Sequence, residues 1–150
     1  MTNNQPTRVG QTNTTNFMTV ALNAPTTLEL TGNAIVPFNR VLTNNNNNLL
    51  LSPNGTITIN TPGNYIVNWW LAVNNPADDA NNIAMTLLLR QNADQEFPST
   101  EVSSSRIIVG NASFTVTNVP ATLSLINASP NVITYPTTNT VAMLTISQVK

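Results

Sequence analysis

A proline and a glycine side by side, Pro62-Gly63, place the tightest constraint on this chain. Proline has no amide proton to give to a strand ladder and glycine accepts positive φ, so the backbone must turn there. Before the turn, Ile57-Thr58-Ile59 alternates; after it, Tyr65, Val67, Trp69, Leu71 and Val73 share one parity. A period of two marks a strand with one face buried in a sandwich. The other parity, Asn64, Ile66, Asn68, Trp70 and Ala72, is mixed. A large indole on such a face calls for a second partner.

The same alternation recurs along the chain. Strands are expected over Phe17–Leu22, Thr27–Thr31, Ala34–Thr43 with a break at Pro37, Leu49–Leu51, Asn82–Arg90, Thr122–Asn127 and Val141–Val149. Arg106–Val109 and Ala112–Val116 read as two more, divided by Gly110. Helical spacing competes over the Leu-rich Asn82–Arg90 piece, but it is short and uncapped. The amide run Asn44–Asn48 reads as a polar loop, since amides favour local side-chain bonding over a ladder, and Gln91–Ser105 as the longest loop. About ten strands with turns every 8–12 residues describe an all-β sandwich or jelly roll.

At 150 residues, with 41% hydrophobic residues, the chain suits one domain with its own core. Only 7% of residues are charged, against roughly a quarter in an average protein. Asn and Thr hold the surface positions instead. A net charge of −1 gives no electrostatic reason to bind nucleic acid or an anionic membrane. Without cysteine there is neither a disulfide framework nor a thiolate metal site.

Residues 1–16, MTNNQPTRVGQTNTTN, offer little to bury beyond Val9 and read as an arm, flexible alone or docked on a partner; the domain follows over 17–150. The arm lacks the basic region and apolar core of a secretory signal, and no run is long enough to span a bilayer. The expectation is a protein kept on the cytosolic side of a membrane or released by lysis.

Catalytic chemistry has little to work with. No histidine means no His-based triad and no imidazole metal site. The six carboxylates, Glu29, Asp78, Asp79, Asp94, Glu96 and Glu101, are read as solvated loop charge rather than as a glycosidase pair or a Ca²⁺ site. No enzyme, metal or cofactor is expected. Matches to the glycosylation sequon, such as those at Asn54, Asn111 and Asn127, carry no weight in so Asn- and Thr-rich a chain. Strand alternation assigns Trp69 to the core and leaves Trp70 for a subunit interface in preference to a glycan platform. The last strand divides likewise: Ala142, Leu144 and Ile146 face the sandwich, while Val141 and Met143 give the second face an apolar character suited to burial between subunits.

One segment resembles a known family. Phe38-Asn39, followed at a distance by Gly55-Thr-Ile-Thr-Ile-Asn-Thr-Pro62-Gly63-Asn-Tyr65, is similar to the signature of the complement globular-head and tumour-necrosis-factor (TNF) jelly-roll superfamily. Leu123–Ser129 and Asn139–Lys150 resemble the penultimate and closing strands of its bacterial branch, closest to the C-terminal domain of the exosporium glycoprotein BclA from spore-forming bacteria. The resemblance covers 17–150 and implies a compact homotrimer with aromatic and aliphatic residues on its three-fold axis. It also implies a spore-surface setting, assembled in the mother cell without a secretory signal. This sequence departs from the branch in having no Gly-X-Y repeat before the domain.

Two functions follow as expectations. The first is a structural subunit of a spore-surface layer or fibre, an exosporium or endospore appendage. Its trimer would be closed by Trp70, Val141, Met143 and Tyr135, and arm residues Pro6, Arg8 and Val9 would link successive trimers by strand addition or in a groove. The chain is then its own main partner. The second is an adhesin or receptor-binding knob whose 44–48 and 91–105 loops take a glycan or protein ligand.

Overall fold

The computed structural model describes residues 15–74, 83–90, 95–101 and 107–150. Twelve strands account for most of them: β1 (Phe17–Asn23), β2 (Glu29–Leu30), β3 (Arg40–Asn44), β4 (Leu49–Leu51), β5 (Ile57–Ile59), β6 (Gly63–Ala72), β7 (Ile83–Arg90), β8 (Gln95–Glu101), β9 (Ile107–Val116), β10 (Ala121–Asn127), β11 (Ile133–Thr134) and β12 (Thr140–Val149). Among the described residues there is no helix. Two five-stranded antiparallel sheets, β3-β1-β12-β6-β9 and β4-β5-β10-β7-β8, form the sandwich, and β2 pairs with β11 at one end. The first long strand lies beside the last, with Val20 opposite Leu144.

The parity read around Pro62-Gly63 is the parity of the fold. Tyr65, Val67, Trp69, Leu71 and Val73 are all buried, and they join one core with Ile57 and Ile59 of β5, Leu87 and Leu89 of β7, and Leu123 and Leu125 of β10. The turn is closed from within: the Tyr65 hydroxyl donates to the Thr61 carbonyl at 2.7 Å. Gly55 has a φ of 90°, and a Cβ there would overlap the backbone of Val36 to Phe38. Only glycine lets that turn lie on the segment that buries Phe38.

Three expectations are corrected. The strand expected over Thr27–Thr31 shrinks to Glu29–Leu30, which pair with Ile133–Thr134 in a two-residue ladder. Gln91–Ser105 is not a continuous loop: β8 lies inside it, with Phe97 opposite Leu87 and its ring 5.6 Å from that of Phe114. Its single large hydrophobic group gave no visible alternation, and Pro98 is tolerated because β8 is an edge strand. Gly110 does not divide two strands. It lies within β9 opposite Trp69, where a Cβ would overlap the indole. The glycine is a slot for the ring, not a break.

That slot makes a testable statement. Gly110→Ala forces the indole or the β9 backbone to move, and overpacking of this kind costs about 1–3 kcal/mol. The expected outcome is a lower thermal unfolding midpoint with altered Trp fluorescence; an unchanged midpoint and spectrum would show that the core accommodates the methyl group.

Candidate functional site

The outward face of the β3-β1-β12-β6-β9 sheet carries several exposed apolar side chains that the core does not use. Register places Val109 of β9, Trp70 of β6, Met143 of β12 and Ala21 of β1 side by side in one cross-strand row, with Ile107 opposite Ala72 in a neighbouring one. Trp70 and Met143 are half-buried, while Ile107 and Val109 are 54% and 56% exposed. Two residues further along, the row becomes Asn111, Asn68, Thr145 and Thr19, and the two threonine hydroxyls are hydrogen-bonded at 3.0 Å. Beyond it, exposed Ile66 lies between Ser113 and Ser147. The face is therefore an apolar band at one end, a hydroxyl and amide middle, and isolated apolar groups at the other.

Of the four residues expected at a trimer interface, the structure brings two together on this face, Trp70 and Met143, which are directly paired. Val141 and Tyr135 are corrected. Val141 has no exposed surface. It is skipped where Leu22 pairs with Ala142 and Asn23 with Thr140, and such an irregularity turns consecutive side chains inward. Tyr135 is 2% exposed and belongs to the core. Pro6, Arg8 and Val9 lie outside the described residues.

The foot of the arm is held at the opposite end of the sheet. Asn16 is buried. Its side-chain nitrogen donates to Gln148 Oε1 at 2.7 Å, its Oδ1 accepts from the Asn46 and Asn48 amides, and its carbonyl accepts from the Gln148 backbone N–H at 2.8 Å. Asn45 clasps the next residue, accepting from the Phe17 N–H at 2.8 Å. Gln148 in turn donates to the Pro62 carbonyl at 3.1 Å. The 44–48 amide run, expected as a bare polar loop, is thus the clamp that fixes where the arm leaves the domain.

Tyr135 lines a cleft of about 370 Å³ together with Leu22, Pro25, Pro37, Pro53 and exposed Glu29. The Tyr135 hydroxyl is buried without a hydrogen-bond partner among the described residues, and burial pushes its pKa well above the ordinary phenol value. The other expected motif residues are scaffold. Phe38 is core. Asn39 exchanges two hydrogen bonds with the Asn23 backbone, at 2.9 and 2.8 Å. Gly55, Pro62, Gly63 and Tyr65 shape the turns described above.

Sequence reasoning missed Asn127, which it met only as a sequon. Asn127 is fully buried: its amide nitrogen donates to the carbonyls of Leu30, Thr31 and Asn131, and its oxygen accepts from the Ser129 backbone and hydroxyl. It joins the β2-β11 pair to the sandwich, and no glycan could reach it. Among the described residues no three metal-ligating side chains gather. Part of the 91–105 loop assigned to a ligand-binding knob is strand β8.

No protein-family model and no curated protein sequence matches the chain. Solved structures do. The globular domain of zebrafish complement 1qA protein superposes with a TM-score of 0.68 at 13% identity, over 91% of this chain and 98% of that one. The TNF protein Eiger of S. frugiperda gives 0.68 at 11% identity, over 90% and 94%. Murine APRIL gives 0.68 at 9% identity, over 91% and 100%. The chain folds as a TNF-like jelly roll. At these identities the likeness carries the fold alone. Within the jelly roll, the Trp70 band and the Tyr135 cleft are two described regions that face outward.

The clamp at Asn16 is directly testable. Asn16→Ala removes the hydrogen bonds to Asn46, Asn48 and Gln148 and should cost about 1–2 kcal/mol, since those amides reach solvent and water takes over part of the bonding. The denaturant midpoint should fall while the β-sheet circular dichroism stays the same; an unmoved midpoint would mean the clamp adds nothing.

Proposed function

We propose that the chain is a structural, self-assembling subunit in which three copies close around the outward β3-β1-β12-β6-β9 face and the N-terminal arm links one trimer to the next. The observation that carries this reading is the band formed by Ile107, Val109, Trp70 and Met143. Contiguous apolar side chains that reach solvent mark a protein interaction site. The composition supports a partner of the same kind: with 7% charged residues, copies packed side by side face little repulsion. The clamp at Asn16 supports the role of the arm by fixing the point at which it joins the domain.

The proposed setting is the surface of a bacterial spore, as an exosporium layer or endospore appendage built within the mother cell. Support for it is the similarity of the Pro62-Gly63-Tyr65 hairpin and the closing strand to the exosporium BclA domain. In this reading the protein is not an enzyme, inserts into no membrane and needs no cofactor.

Two substitutions and a deletion test it. Trp70→Asp with Met143→Asp places two charges in the band and is expected to turn a trimer of full-length chain into monomer in analytical ultracentrifugation; a wild-type trimer would remove this face from the interface. Deleting residues 2–14 should leave trimers that no longer form fibres or larger assemblies by electron microscopy. Persistence of those assemblies would defeat the linking role. Antibody labelling of spores of the source bacterium checks the setting, and unlabelled spore surfaces would rule it out.

A further inference from the structure

The domain has two chemically different ends. Asn16, from which the arm departs, sits where β1 begins, beside Gln148 and the 44–48 clamp. The Tyr135 cleft sits where β1 ends, lined by Leu22 and by Pro25, Pro37 and Pro53. Seven residues of strand separate the two along the sheet, about 20 Å.

The cleft has its own recognition chemistry. Prolines give a rigid apolar rim that offers no backbone N–H. Tyr135, which lines the cleft, keeps a buried hydroxyl with no acceptor among the described residues. That hydroxyl is closed off from solvent, so recognition at the cleft falls to the proline rim and to Glu29. Glu29 adds an exposed carboxylate. In the arm, MTNNQPTRVGQTNT, the only charged side chain is Arg8, flanked at short range by Pro6 and Val9. Apolar and charged groups are matched in type and sign.

Resting on the assembly reading above, we propose that the Tyr135 cleft of one copy receives residues 2–14 of a second copy, with Arg8 set against Glu29 and Pro6 and Val9 against the proline rim. Because the arm joins the domain at the end opposite the cleft, the contact is head-to-tail. A contact between two different surfaces that does not close a ring propagates as a filament. With three arms on each trimer, weak individual contacts combine into a firm joint. Extended at about 3.3 Å per residue, residues 2–14 reach about 40 Å, enough to bridge to a neighbour and also enough to fold back along their own domain. The experiment separates these.

Full-length Arg8→Glu and Glu29→Arg are each prepared as trimers, with circular dichroism and sedimentation confirming fold and trimer. Each alone sets like charges together at every joint, and the critical concentration for fibre formation is expected to rise on the order of tenfold. The double variant Arg8→Glu/Glu29→Arg should assemble at the wild-type concentration. So should an equimolar mixture of the two single variants, since every arm then finds an opposite charge on the other species. If the double variant assembles but the mixture does not, the arm occupies its own domain's cleft and docking on a second copy is overturned. If both reversals assemble as wild type while deletion of residues 2–14 abolishes fibres, the arm docks elsewhere: the cleft proposal fails and the assembly reading stands. If the deletion leaves fibres intact, both fall.

Discussion

The seating of Trp69 against Gly110 is the contact on which the rest of this jelly roll depends. A strand has a side-chain period of two, so a slip of one residue exchanges its buried and exposed faces. In β6 such a slip would bring Trp70 inside and put Trp69 out. Polarity opposes it, since the slip would bury Asn64 and Asn68. Size opposes it further: an indole needs a gap in the neighbouring strand, and β9 provides one at the residue opposite Trp69. Once β6 is registered on β9 and β12, the outward row Val109-Trp70-Met143 is a geometric necessity.

The second theme is the work done by amides where other proteins use charges. Asn16, Asn45, Asn46, Asn48 and Gln148 fix the foot of the arm, Asn39 ties down the end of β1, and Asn127 ties the β2-β11 pair to the sandwich. An amide both donates and accepts, so one buried side chain can satisfy several backbone groups without the desolvation cost of an ion. The Asn-rich composition is in part a bonding scheme.

The sandwich, the parity of β6 and β12 and the separate fates of the two tryptophans could be read from the sequence, because each rests on a period of two. Strand β8 could not: Gln95–Glu101 half-buries one large side chain, Phe97, against a distant ring, and a single residue has no period. Gly110 misled because glycine as a break and glycine as a slot look alike until the facing residue is known. Val141 and Tyr135 misled for a related reason. Val141 shares the outward parity of Met143, but a local irregularity in pairing turns it inward, and Tyr135 sits in a loop where parity has no meaning. The cleft was invisible because Leu22, Glu29, Pro53 and Tyr135 come together only through the fold.

The amide clamp has a consequence for the conditions under which the arm keeps its position. Its members, Asn16, Asn45, Asn46, Asn48 and Gln148, carry no titratable group, and the backbone groups they bind do not titrate either. Ion pairs are screened by salt and lost when a partner changes protonation. These bonds are indifferent to both. The hydrogen bonds that hold Asn16 therefore contain no group that salt or acid would switch.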